Sequence, residues 1–239
     1  MKFLKISCFT ATKNLNTITC KGFIKTREGV AATKSYVSQV QSLLLIGLEY
    51  ADISGKIDKV YYDEIRAEIA SLSEKSEEIL RIEGYLEKVA LAMKDAEAVF
   101  FLGRKGDYAA VREGSLKLKE VSYLFSEAYP SGELKHGTLA LMEHGIFGVI
   151  VATDPLLLEK NAATVSEITC RGAVAIVIAS SSISTELPAD YVVAIPDASP
   201  LVSPVISAVA MQYLAYFVAK QRGCDVDRPR NLAKSVTVE

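Results

Sequence analysis

The chain has 239 residues, half of them hydrophobic, enough to bury a sizeable core in one large domain or two small ones and too apolar for a disordered protein. Its 27 lysines and arginines nearly balance 29 aspartates and glutamates, which excludes the basic footprint of a nucleic-acid binder or of a protein held on an anionic membrane. Runs such as SLLLIGL and AVAIVIA fall short of the roughly 18 to 20 apolar residues a membrane span needs.

The start MKFLKISCFTATKNL is interrupted by Lys5 and by polar residues where a signal peptide would be apolar, so a cytoplasmic location is expected. Cys8, Cys20, Cys170 and Cys224 lack CxxC spacing, and His136 and His144 are the only histidines. Neither a metal site nor a cofactor is implied by those residues.

Residues 1–25 carry no clear period. From TREGVAATKSYVSQVQSLLLIGLEYA onward a helical period places Val37, Val40, Leu44 and Leu48 on one face, and DEIRAEIASLSEKSEEILRI repeats it with Ile65, Ile69, Leu72 and Ile79. Gly84 is read as a break. An α/β alternation follows: AEAVFFLG as strand, a long helix to about Glu127, FGVIVAT as strand, PLLLEKNAATVSEITCRG as helix, AVAIVIAS and DYVVAIP as strands, and a helix ending near Gly223. Short, wholly apolar strands between helices imply a parallel sheet covered on both faces. Pro155 near the start of its helix and Gly172 after its end fit the usual asymmetry of helix termini. Such sheets bind ligands at the carboxyl ends of their strands, which draws attention to the loops after Leu102, Ala152 and Ala179. The SSSIS segment after Ala179 offers hydroxyls for an anion or forms a plain polar loop.

The long helix is unlike a surface helix. At helical pitch Gly114, Leu118, Val121 and Phe125 form an apolar arc read as the core side, and Arg112, Ser115, Lys119 and Ser122 one read as the water side. Glu113, Lys117 and Glu120 share a third arc with Leu116 and Leu124. Two readings stand: a solvated Glu–Lys pair of small energetic value, or a partly buried acid/base cluster in which desolvation raises a carboxylate pKa and a lysine lowers it. In SGELKHGTLALMEHG, Gly132 and Gly137 bracket Glu133, Lys135 and His136 and suggest tight turns aiming polar side chains. His136 has the intrinsic pKa for proton transfer or is an ordinary surface residue. His144 reads as a partner for a helix C-terminus. The tail CDVDRPRNLAKSVTVE has no apolar period, so Lys234 is either frayed or, if the tail docks, a positioned amine.

EGSLKLKEVSYLFSEAYPSGELKHGTLALME and DVDRPRNLAKSVTVE resemble the isomerase domain of the glucosamine-6-phosphate synthase (glutamine–fructose-6-phosphate aminotransferase) family, with similarity running over residues 26–239. The resemblance implies an α/β fold, a flavodoxin-like parallel sheet (SIS domain) with helices on both faces, preceded by a helical remnant of a first SIS domain. The implied divisions are an unmatched segment 1–25, an incomplete first SIS domain 26–84, a second SIS domain 85–223 and an active-site tail 224–239. By the same resemblance Glu120 is the carboxylate that moves a proton between C1 and C2 of an open-chain sugar, with Glu113 and Lys117 as its neighbours. His136 assists ring opening from an adjoining subunit, Lys234 forms a Schiff base with the ketose, and Val30 and Ala233 contact the sugar phosphate through their backbones. A carboxylate near a carbon acid and an imine-forming lysine suit enolisation.

The resemblance also implies a phosphosugar substrate, fructose 6-phosphate or glucosamine 6-phosphate, and a homodimer. The departures are large. Lys2 stands where the family has its glutaminase nucleophile, and residues 1–25 carry no Ser/Thr-rich phosphate loop. Ala32 and Thr138 stand where the family often has serine and proline. A sheet missing strands leaves an open edge and uncovered helices, so a separate chain supplying the missing strands or the glutaminase, or self-pairing, is expected. The alternatives are an amino-sugar-phosphate deaminase, which the lysine-bearing tail argues against, and a non-catalytic subunit.

Overall fold

A computed structural model describes residues 30–232. Three helices come first, α1 (Lys34–Ile53), α2 (Lys59–Arg81) and α3 (Glu83–Met93), followed by β1 (Ala98–Gly103), α4 (Gly106–Ser122), β2 (Ser126–Pro130), β3 (Ile146–Ala152), α5 (Leu158–Thr169), β4 (Val174–Ser180), β5 (Tyr191–Ile195) and α6 (Ser203–Gln221). The strands form one sheet in the order β2-β1-β3-β4-β5, every pair parallel. This is the flavodoxin-like order.

The sheet is buried because β1, β3 and β4 present apolar side chains to both faces. On one face Phe101, Val149 and Ile178 meet α3, α4 and α6, with α1 and α2 adding Val37, Leu48, Ile65 and Leu72 to the same cluster. On the other, Phe100, Leu102, Ile150 and Val177 meet α5 and the short turns after β2. Helix α6 is apolar all round because it is enclosed. At its crossing with α4, a Cβ on Gly114 would fall 2.4 Å from Met211 Sδ and 3.0 Å from the Phe101 ring. Only glycine allows that approach.

Three local readings are corrected. The long helix stops at Ser122, because Tyr123 takes a left-handed conformation with φ 61°, and Ser126–Pro130 then pairs with β1 as an edge strand. Gly84 does not break the chain, since it lies in the first turn of α3, where its missing side chain costs little. Ser115 and Ser122 are buried and Phe125 is 61% exposed: α4 is gripped by the sheet and α6 together, and Phe125 lies beyond its end.

At the carboxyl ends of β1, β3 and β4 several polar side chains are bonded to one another. Buried Asp107 accepts from Thr153 N–H at 3.0 Å and from Thr153 Oγ1 at 2.6 Å, and Thr153 Oγ1 lies 2.8 Å from Ser203 Oγ. Lys105 Nζ pairs with Asp154 at 3.0 Å. In the SSSIS loop, Ser181 donates to the Ile195 carbonyl, Ser182 to Asp197 and Ser184 to the Ser181 carbonyl. These hydroxyls tie loops together.

Candidate active site

The charged arc of α4 is buried. Lys117 is 2% exposed and Glu113 7%. The Lys117 ammonium lies 2.5 Å from Glu120 Oε2 and 3.7 Å from Glu113 Oε1, so one cation serves two carboxylates. Glu120 has the most open side chain of the three, at 21%. From α6, buried Gln212 donates Nε2–H to Glu113 Oε1 at 3.3 Å.

Burial pushes the Glu113 carboxyl up to about 7; Lys117 and the Gln212 hydrogen bond pull it back down, and the Glu120 charge adds to the rise. Burial outweighs the cation because that cation already holds Glu120 more closely. The Tyr36 phenol is raised by burial and by the Glu113 charge, which places the first turn of α1 against the cluster.

Both ends of the described chain converge nearby. The Val30 N–H donates to the Asp227 carbonyl at 3.3 Å. The Arg230 N–H donates to Tyr123 Oη at 2.8 Å, and its guanidinium lies 4.2 Å from the Tyr123 ring centroid. Tyr123 directly follows α4, so the tail returns to the helix end that carries Glu120. Lys234 and Ala233 lie outside the described residues.

His136 is exposed at the end of a 3-10 turn, Ser131–His136, that follows β2. Because β2 starts beside the last turn of α4 and runs away from it, His136 and Glu120 stand at opposite ends of the sheet. The chain does not bring them together. No helix ends at His144 itself: it sits in the turn before β3, with ring atoms 3.0 Å from where a Cβ would be on Gly172, just beyond the end of α5. The preceding 3-10 turn has already ended at Leu141.

Gln212, Tyr36 and Tyr123 were not singled out from sequence. For Gln212 a signal existed, a lone amide in the apolar run SAVAMQYLAYFVA; the tyrosines had none. The assembled cluster has the parts of an acid/base device. A partly open carboxylate is fixed by a buried ammonium, and behind it a second carboxyl titrates near neutrality, the range in which proton transfer is most effective.

The SIS domain model matches residues 92–219. Among curated relatives, the glutamine–fructose-6-phosphate aminotransferase (isomerizing) of Caldanaerobacter subterraneus subsp. tengcongensis is 44% identical over 211 residues, 88% of this chain and 35% of that protein. The Clostridium tetani protein of the same name is 41% identical with the same coverage. The chain thus spans about a third of the length of the curated relatives it matches. Among solved structures, the C-terminal domain of the glucosamine-fructose-6-phosphate aminotransferase of Francisella tularensis superposes with a TM-score of 0.80 at 31% identity, covering 84% of this chain and 57% of that one. A glucosamine-6-phosphate deaminase of Thermotoga maritima shares the fold at 23% identity, with a TM-score of 0.65 over 88% of this chain and 59% of its own.

Proposed function

The chain belongs to the SIS domain family, and on that premise we propose that it forms the isomerase side of an aminating sugar-phosphate isomerase acting between fructose 6-phosphate and glucosamine 6-phosphate. The observation that carries this reading is the buried Lys117 holding Glu120 at 2.5 Å, on a helix lying wholly within the matched domain. Glu120 removes a proton from one carbon of the open-chain sugar and returns it to the neighbouring carbon. Lys117 fixes its rotamer, while Glu113 adjusts the net charge of the cluster.

Lys234 forms the Schiff base with the ketose carbonyl, water being the leaving group. Docking of Arg230 on Tyr123 supports a tail directed to the Glu120 end of α4. The backbones of Val30 and Ala233 line the sugar phosphate. His136 is at the wrong end of the sheet to serve Glu120 of its own chain, so it opens the sugar ring in a second copy, and the working unit is a homodimer in the cytoplasm. Residues 26–84 are the closing part of a first SIS domain, 85–223 a second, and 224–239 the tail over the site.

One observation favours dependence on another polypeptide. Leu43, Ile46, Tyr50 and Ile53 form an exposed apolar stripe along α1, the surface that the rest of a first SIS domain would cover. A chain without that covering binds phosphosugars but turns them over poorly.

The test is solvent-deuterium exchange into fructose 6-phosphate, with and without a polypeptide carrying the preceding part of a first SIS domain. Exchange is expected to fall at least about 100-fold in Glu120→Gln. Trapping with borohydride is expected to mark Lys234. Exchange that survives in Glu120→Gln refutes the assigned proton carrier.

A further inference from the structure

We infer that Arg104, Ser131 and Asn161 form a phosphate-binding pocket beneath the turn that carries His136. The inference does not depend on the proposed reaction. It starts from strand alternation. Along β1, Phe100 and Leu102 face the α5 side of the sheet, and along β2 Tyr129 does. The same parity carried one step past each strand puts Arg104 and Ser131 on that side. They are also neighbours across the sheet, because Gly103 and Pro130 are register partners and each precedes one of them.

The contacts agree. Arg104 Nη2 donates to Thr164 Oγ1 of α5 at 3.3 Å, and Arg104 Nη1 lies 3.5 Å from where a Gly132 Cβ would be. The guanidinium therefore spans from α5 to the turn after β2. Asn161 lies one turn before Thr164 on the buried stripe of α5, which continues through Val165 and Ile168.

These residues share an unusual deficit. Arg104 Nε, Ser131 Oγ and both polar atoms of Asn161 are buried without a hydrogen-bond partner, and Ser131 is 2% and Asn161 0% exposed. Buried polar atoms are nearly always bonded. Asp154 pairs with Lys105 and Glu167 with Lys135, and among the described residues no carboxylate pairs with Arg104. A cationic fork, a hydroxyl and an amide N–H supply donors for an oxyanion, and the amide oxygen of Asn161 accepts from a protonated phosphate oxygen or a sugar hydroxyl. The ligand is a phosphate group, carried by free phosphate or by a phosphosugar.

The test is thermal unfolding of the full chain in millimolar inorganic phosphate against chloride at matched ionic strength, on wild type, Arg104→Met and Asn161→Leu. At about ten times the dissociation constant, phosphate is expected to raise the wild-type Tm by about 3 to 6 °C and to leave both variants unmoved. Without phosphate, Asn161→Leu should melt at or above wild type, because it removes an unbonded amide from an apolar setting. Fructose 6-phosphate in the same assay distinguishes the sources: a shift lost in both variants identifies a phosphosugar site, and a shift from inorganic phosphate alone identifies free phosphate. No phosphate-specific rise in wild type, or an equal rise in the variants, overturns the proposal.

Discussion

Helix α4 buries two carboxylates, Asp107 in its first turn and Glu113 near its middle, in opposite circumstances. Asp107 receives a backbone N–H and a hydroxyl from Thr153 at 3.0 and 2.6 Å. Glu113 has an amide N–H at 3.3 Å and a share in an ammonium 3.7 Å away that stands closer to Glu120. Burial raises both. The difference lies in what opposes it: short bonds to fixed groups for Asp107, longer and divided ones for Glu113. A carboxylate of the first kind locks loops together, whereas one of the second kind keeps a proton in play. On one helix, hydrogen-bond saturation separates scaffold from candidate chemistry.

The strongest way to break this contrast is to remove the shared cation. Lys117→Met leaves Glu113 and Glu120 facing each other without compensation, and a stability loss of about 5 kcal/mol is expected near pH 8. Denaturant unfolding repeated near pH 6 should show a smaller loss, because Glu113 then takes up a proton. An equal loss at both pH values would mean that Glu113 does not titrate against Lys117. In the first turn, Asp107→Ala orphans the Thr153 N–H and is expected to cost about 3 kcal/mol. The readout that separates the two regions is the titration of Glu113, followed by carbon-13 NMR of its carboxyl. It should be unmoved in Asp107→Ala, and a displaced titration would show that the two carboxylates are coupled.

Sequence showed the two regions unequally. The strands β1, β3 and β4 were legible because each is a short, wholly apolar run, and the Glu113–Lys117–Glu120 arc because leucines shared its face. Strand β2 was not: SEAYP is short, polar and at the sheet edge, where one-sided pairing relaxes the demand for apolar residues. That miss had a geometric consequence. A helix continued to Glu127 hides the run of β2 away from Glu120, so the separation of His136 from that carboxylate cannot be seen. Asp107 and Gln212 were invisible for another reason. Their partners, Thr153 and Glu113, lie far away in sequence, and only packing brings them together.

The smallest expected effect tests the charge state of Glu113. Its carboxyl rises from an ordinary 4.5 to about 7 in the folded chain, so between those values the native state binds more protons than the unfolded state. Stability from this group is therefore full below about pH 4.5 and is lost as pH climbs through about 7, at up to about 1.4 kcal/mol per pH unit. The value of about 7 already contains the opposing Lys117 and Gln212 contacts, so the total over that span is on the order of 3 kcal/mol. Glu113→Gln keeps the shape and removes the titration. Its unfolding free energy is expected to be flatter than wild type from about pH 5 to 8 and to exceed wild type only at the alkaline end. A variant with the wild-type slope would assign that slope to other groups and leave Glu113 an anion across that pH range. Glu113 would then belong with Asp107 as scaffold, and the acid/base character of the cluster would rest on Glu120 alone.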